Sequence, residues 1–174
     1  GFTVLLLIAG NETTTNLLGN LLSHVADNPQ LWDELRADPR KIDAAVEETL
    51  RFDGPVHWVN RKATQDVVIQ GQQVNAGDAI YAILGSANRD SDHYPDADSF
   101  RLDRPKGQDH HTFGHGIHFC IGAPLGRMEA RHGLQGLLKR FSAVKHAPDN
   151  ENERTHSNML RGFHHLWLTF EPAD

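Results

Sequence analysis

Cysteine is all but missing from this chain: Cys120 is the only one. An internal disulfide is therefore excluded, and a reducing compartment, the cytoplasm, is the expected home. Long apolar runs are missing too. The uninterrupted run Val4 to Ala9 falls far short of the ~20 residues that a membrane span needs, and no basic stretch comes before it as in a secretory signal. Positive charge is in deficit, with a formal net charge of −6, which argues against nucleic acid as a general partner. The sequence has no internal repeat, no low-complexity tract and no clear domain boundary. A hydrophobic content of 39% over 174 residues suits one soluble globular unit with a sizeable core.

Histidine is plentiful instead, at 12 residues, and several crowd around Cys120. The stretch Phe113 to Gly122 reads F-G-H-G-I-H-F-C-I-G. Its glycines Gly114, Gly116 and Gly122 mark backbone in conformations closed to other residues, or backbone lying against something large and flat. A long amphipathic pattern follows, with Leu125, Met128, Leu134, Leu137, Leu138 and Phe141 at helical spacing. Cys120 thus falls where a loop becomes a helix, a position that favours the thiolate form of a cysteine as ligand or nucleophile. Three readings compete on these residues alone. One is a buried structural cysteine. Another is zinc held by His111, His115, His118 and Cys120, whose types suit the metal but whose spacing matches no common pattern. The third is thiolate ligation of heme. A cysteine hydrolase is weaker, because no base with an orienting partner stands out.

The rest of the chain reads as mainly helical with small sheets, an α+β class. Residues 2–26 are apolar nearly all round, as in a helix buried within a larger body. The pattern starts without a cap or a methionine, so the expectation is a chain cut from something longer. Its middle, Ala9-Gly10-Asn11-Glu12-Thr13-Thr14-Thr15, is polar. Either its threonines bond back to the helix as an exposed stripe, or the helix opens there across a ligand. Asn28-Pro29 and Asp38-Pro39 are cap-plus-proline helix starts; the helices reach Arg36 and about Phe52. Glu48 and Arg51, three apart, share a face. Strand-like runs follow at Val56–Val59, Val67–Gln70, Val74 and Ala79–Leu84, turning at Gly71 and Gly77, with Arg61 in a loop between the first two. Residues 85–100 are turn-rich, Asn150 to Arg154 a polar loop, and His164 to Phe170 a final strand.

These residues carry a resemblance. Phe113 to Gly122 resembles the heme-binding signature of the cytochrome P-450 family, phenylalanine-glycine to cysteine-x-glycine. Ala9 to Thr14 is similar to the family's oxygen-binding segment on its long central helix, and Glu48-Thr49-Leu50-Arg51 to its glutamate-x-x-arginine helix. Phe100 to Arg104 is similar to the segment whose arginine joins that pair. The residues around Cys120 look most like the soluble bacterial branch. The resemblance implies the C-terminal part of a single heme domain over residues 1–174, its N-terminal part absent. It implies heme b (iron protoporphyrin IX) with Cys120 as axial thiolate and metal ligand, pushing electron density to favour O–O cleavage. Glu12 and Thr13 would pass protons toward dioxygen, and Ala9, Gly10, Phe113, Gly114 and Gly122 would lie against the heme. Arg61 and His118 would bond its propionates, with His57, Trp58 and residues near Met159 to Arg161 lining the pocket. Glu48, Arg51 and Arg104 would form a buried structural charge cluster. The activity implied is insertion of one oxygen atom into a small organic substrate. Electrons would come from a ferredoxin or flavodoxin-type donor with its reductase, docking near Arg127 and Arg131, with no nucleic acid or membrane partner. A non-catalytic heme-binding module and the zinc site stay as alternatives, and poor heme binding by the isolated chain is expected.

Overall fold

Apolar side chains at every turn of its first 26 residues make α1 (Phe2–Asp27) one unbroken helix. Its two halves differ. From Asn16 on, Leu17, Leu21 and Val25 are buried, whereas Phe2, Val4, Leu5, Leu6, Leu7 and Ile8 are all exposed. The helix does not open at its polar middle: the Thr13 and Thr15 hydroxyls donate to the carbonyls of Ala9 and Asn11, four residues back. The exposed-stripe expectation therefore describes this segment, because back-bonding satisfies each hydroxyl without breaking the helical ladder. The computed structural model describes residues 1–105 and 109–173, so the basic stretch at Lys106 lies outside the described residues.

The Asn28 side chain accepts from the Leu31 N–H and Pro29 opens α2 (Pro29–Ala37), as the cap-plus-proline pattern demands. Asp38 caps a short 3-10 turn at Pro39–Lys41, which leads into α3 (Ile42–Asp53). Ile42, Ala45, Val46 and Leu50 give α3 a buried face. It packs against the second half of α1 and against α5 (Ala123–Arg140). α4 is a single turn, Leu84–Ala87. Leu134 and Leu138 of α5, Trp32 and Leu35 of α2 and Val144 complete one core, in which Trp32 Nε1 donates to the Ser142 carbonyl at 2.9 Å.

Among the described residues the strands form four two-stranded antiparallel sheets. β1 (Trp58–Lys62) pairs with β4 (Ala79–Ile83), and β2 (Val67–Ile69) with β3 (Gln72–Val74). Arg61 lies within β1 opposite Ile80, not in a loop. β5 (Phe141–His146) pairs with β8 (Leu168–Pro172), and β6 (Glu153–Arg154) with β7 (Phe163–His165). The expected single last strand is thus two, and the polar loop holds β6. Phe141 continues the helical spacing of α5 yet begins β5, because pairing with a strand far along the chain outweighs local periodicity. No helix among the described residues is long and apolar enough to cross a membrane.

Candidate functional site

Glu48 is the electrostatic centre of the helical body. It lies one turn before Arg51 on α3, which puts both side chains on one buried face. The Arg51 fork grips it through Nε at 2.8 Å and Nη2 at 2.7 Å. From beyond the sheets, Arg104 Nε reaches both carboxylate oxygens at 3.0 and 2.9 Å, and the Arg101 N–H adds a bond at 2.9 Å. Two guanidiniums on one carboxylate leave a surplus positive charge. Backbone carbonyls of Asn88, Ala97 and Ser99 accept from Arg51, and those of Pro95, Asp96 and Ser99 from Arg104. The cluster therefore ties the irregular segment 88–104 to α3, satisfying its charges by geometry that a buried pair requires.

Asp53, at the end of the same helix, forms a second centre that nothing local in the sequence marks out. Its side chain is almost fully buried and meets Arg161 on one oxygen and Arg154 on the other, at 3.2 Å; His24 Nε2 is 3.3 Å away. Burial works against its ionisation, but the neighbouring His24 and the two guanidiniums outweigh it and hold the carboxyl well below the usual range. A third carboxylate, Glu47, takes Arg127 at 2.6 Å and His110 at 3.2 Å. Burial pushes it up, yet the bonds from His110 and Arg127 win and hold it at about 2. Arg127 also lies over the Phe113 ring at 4.5 Å, and Arg131 lies 3.6 Å from Asp43. Both cations are engaged by carboxylates of α3 and stay partly exposed, at 37% and 41% of their side chains.

Just above Phe113 the chain enters the cysteine loop. Gly114 and Gly116 have φ of 74° and 70°, the left-handed region that glycine enters without strain. The Cys120 N–H returns to the Phe113 carbonyl at 2.9 Å, closing the loop, and α5 starts three residues later with Pro124 in its first turn. Cys120 is exposed. A Cβ added to Gly122 would lie 3.7 Å from its Sγ, so the backbone passes close beside the sulfur.

A hollow of about 580 Å³ opens between this loop and the first half of α1, within the range of small-molecule sites. Phe113, Gly114, His118, Cys120 and Gly122 form one wall; Ala9, Gly10 and Thr13 of α1 form another, and Arg61 stands at the rim. The structure thus brings these sequence-selected residues together. Leu50, Val56, Val59 and Leu84 supply apolar surface between them. Glu12, though next to Thr13, is exposed and does not border the hollow, because its position on α1 points to another face. His57 is not in it either: it faces a neighbouring hollow with Phe52, Gly85 and Arg161, and burial together with the charge of Arg161 lowers its pKa. Trp58 packs edge-on against Tyr81 and donates to the Asn158 carbonyl.

Sequence reasoning missed Asn11, Thr14, Leu125, Gly126 and Glu129 as lining residues. No local signal in the sequence marks them, because the hollow forms only where α5 approaches α1, a Cβ on Gly126 lying 4.0 Å from Thr14 Oγ1. The zinc alternative finds no geometry. Among the described residues His111, His115, His118 and Cys120 form no group of converging metal-ligating atoms.

Known proteins resemble this chain in sequence and fold. A family model described as Cytochrome P450 matches residues 2–164. The curated protein Cytochrome P450 109 of Bacillus spizizenii is 40% identical over 151 residues, 87% of this chain and 37% of that protein. Erythromycin C-12 hydroxylase of Saccharopolyspora erythraea is 39% identical over 166 residues, 95% of this chain and 42% of that protein. The crystal structure of CYP109E1 from Bacillus megaterium in complex with testosterone superposes with a TM-score of 0.92 at 38% identity, covering 97% of this chain and 46% of that one. The chain spans about two fifths of the length of the curated relatives it matches.

Proposed function

The chain belongs to the cytochrome P450 family, and from that premise we propose that residues 1–174 form the C-terminal part of the heme domain of a heme-thiolate monooxygenase. The reaction is insertion of one atom of dioxygen into an organic substrate, with electrons from a ferredoxin or flavodoxin-type donor and a cytoplasmic location. The observation that carries this reading is a single hollow with Cys120 on one wall and Gly10 and Thr13 on the other. Its walls fit heme b. Glycine and alanine at positions 9, 10, 114, 122 and 126 leave flat backbone surfaces, the cysteine offers a soft anionic ligand, and Arg61 and His118 line the same hollow with donors that propionates would take. Heme, when bound, supplies the redox chemistry that activates dioxygen.

The remaining roles belong to side chains of this chain. Cys120 would hold the iron through its thiolate, and the Gly122 backbone, passing close beside the sulfur, would tune its donation. Thr13 already donates its hydroxyl proton to Ala9 O at 2.6 Å, so its oxygen presents an acceptor toward the hollow. It can hold a water or a proton-bearing group there. The apolar lining from Leu17, Leu50, Val56 and Val59 excludes water and suits an apolar organic substrate. Two similar proteins, an erythromycin C-12 hydroxylase and one crystallised in complex with testosterone, are associated with bulky organic molecules.

The test is spectroscopic. Heme added to the protein, reduced and exposed to carbon monoxide, is expected to give the strongly red-shifted band of thiolate-ligated iron. Cys120→Ala is expected to abolish it. A histidine-type spectrum, or one that survives Cys120→Ala, would sink the assignment.

A further inference from the structure

Glu153, His164 and His165 lie outside the hollow, on the β6–β7 hairpin, and the monooxygenase reading gives them no work. Their ligating atoms all lie within 4.8 Å of one another. Among the described residues this is the one group of three or more histidine, cysteine or carboxylate side chains that converges in this way. We propose that it is a binding site for a borderline divalent transition metal, with zinc(II) as its representative.

The local backbone explains the convergence. Glu153 and His165 are cross-strand partners, so their side chains share one face of the ribbon. His164, as the next residue, belongs by strand alternation on the opposite face. The register shifts between Glu153 and Arg154, and such an irregularity re-aims a side chain. The two imidazole rings end with centroids 4.3 Å apart. Donors around a tetrahedral zinc at bonds of ~2.0–2.1 Å sit ~3.4 Å from one another. The three side chains are exposed, so rotation of their own torsions closes the gap without moving backbone. His156 bonds Glu153, its Nε2 being 3.1 Å from Oε1, and holds that carboxylate in place; water completes the coordination.

The donor set, imidazole nitrogens with one carboxylate oxygen, is that of zinc, copper(II) and nickel(II) rather than of magnesium or calcium. The frame beneath it is anchored. Arg154 turns inward to Asn20 and Asp53 and lies over the Phe163 ring at 3.8 Å. Phe163 and Leu166 in turn touch the α1 surface at Gly19. Metal bound here would clip β6 to β7 and so stiffen the hairpin against α1.

Trp167, stacked near His165 at 6.1 Å, provides a built-in reporter. Untagged protein is titrated with zinc(II) against a chromophoric chelator, and separately with copper(II) while tryptophan emission is recorded. One zinc per chain is expected, together with copper quenching that largely disappears in Trp167→Phe. His164→Ala and His165→Ala are each expected to weaken zinc binding by about tenfold or more, at least what loss of an outer-shell partner costs. Both are surface changes that should leave the circular dichroism spectrum unaltered. Absence of stoichiometric zinc, or zinc retained at full affinity by the double variant, would overturn the site. So would binding that Cys120→Ser abolishes and the histidine variants do not.

Discussion

The two halves of α1 have similar apolar content and opposite surroundings. Leu17, Leu21 and Val25 are sealed by α3, α5 and β5, while Leu5, Leu6, Leu7 and Ile8 face outward along and beside the hollow. A run of leucines therefore says that a helix has something to bury, but not whether the structure provides the cover. The same contrast separates the two chemically important clusters. Glu48 is saturated by two arginines and a backbone N–H within the core, whereas Cys120 and its loop, with Ile117 and Ile121, are open to solvent. The sealed region holds the fold, and the open one presents chemistry.

The contrast breaks most sharply at Glu48. Removing the carboxylate by Glu48→Ala leaves two buried guanidiniums facing each other with only carbonyls for company. A loss of about 3–5 kcal/mol is expected, enough to unfold a marginal domain. Urea denaturation followed by circular dichroism measures it, and a loss under 1 kcal/mol would show the cluster to be unimportant for stability. Along α1, Leu21→Ala in the sealed half is expected to cost about 2–5 kcal/mol. Leu7→Ala in the open half of the same chain should stay within about 0.5 kcal/mol. Equal effects would erase the distinction between the halves.

Acid sharpens the comparison more gently. Glu47 has a folded-state pKa of about 2 against an ordinary glutamate near ~4.3, and the Asp53 carboxyl is also depressed. A depressed carboxylate contributes stability that is fully present above its unfolded pKa and is lost as pH falls toward the folded value. Stability should therefore decline from about pH 5 down to pH 2. Glu47→Gln should flatten part of that decline, and an unchanged slope would remove Glu47 from it. Its share is small, because the side chain is 43% exposed and solvent screens its partners. The smallest expected effect on stability is at Thr13, whose hydroxyl bonds only to its own helix. Thr13→Ala should change the unfolding midpoint by under about 0.5 kcal/mol equivalent. In the heme-loaded enzyme with its full electron supply, the same variant should divert oxygen reduction away from product. Unaltered coupling would take Thr13 out of proton handling.

Much was readable before folding was considered. The end of α1 and both ends of α2 followed from Asn28-Pro29 and Asp38-Pro39, because capping oxygens and proline act within a turn of chain. The cysteine loop was legible for the same reason: glycines and a helix start are local features. β5 was not legible, since Phe141 fits both the helical spacing before it and the strand after it. The ion pairs of Arg127 and Arg131 were not legible either, because their carboxylate partners sit on α3, distant in sequence.

The sequence by itself determined the helix starts, the thiol's position at the mouth of α5, and the kinship of four separated segments to one family. Those depend on neighbours within a few residues, or on the order of motifs. Tertiary structure alone decided which leucines of α1 are covered and that Asp53 is a hub for arginines 101 and 108 positions away. It decided too that Thr13, and not Glu12, borders the same hollow as Cys120. Burial and ion pairing are properties of surfaces brought together from distant parts of the chain, and only the packing of α1, α3 and α5 brings them there.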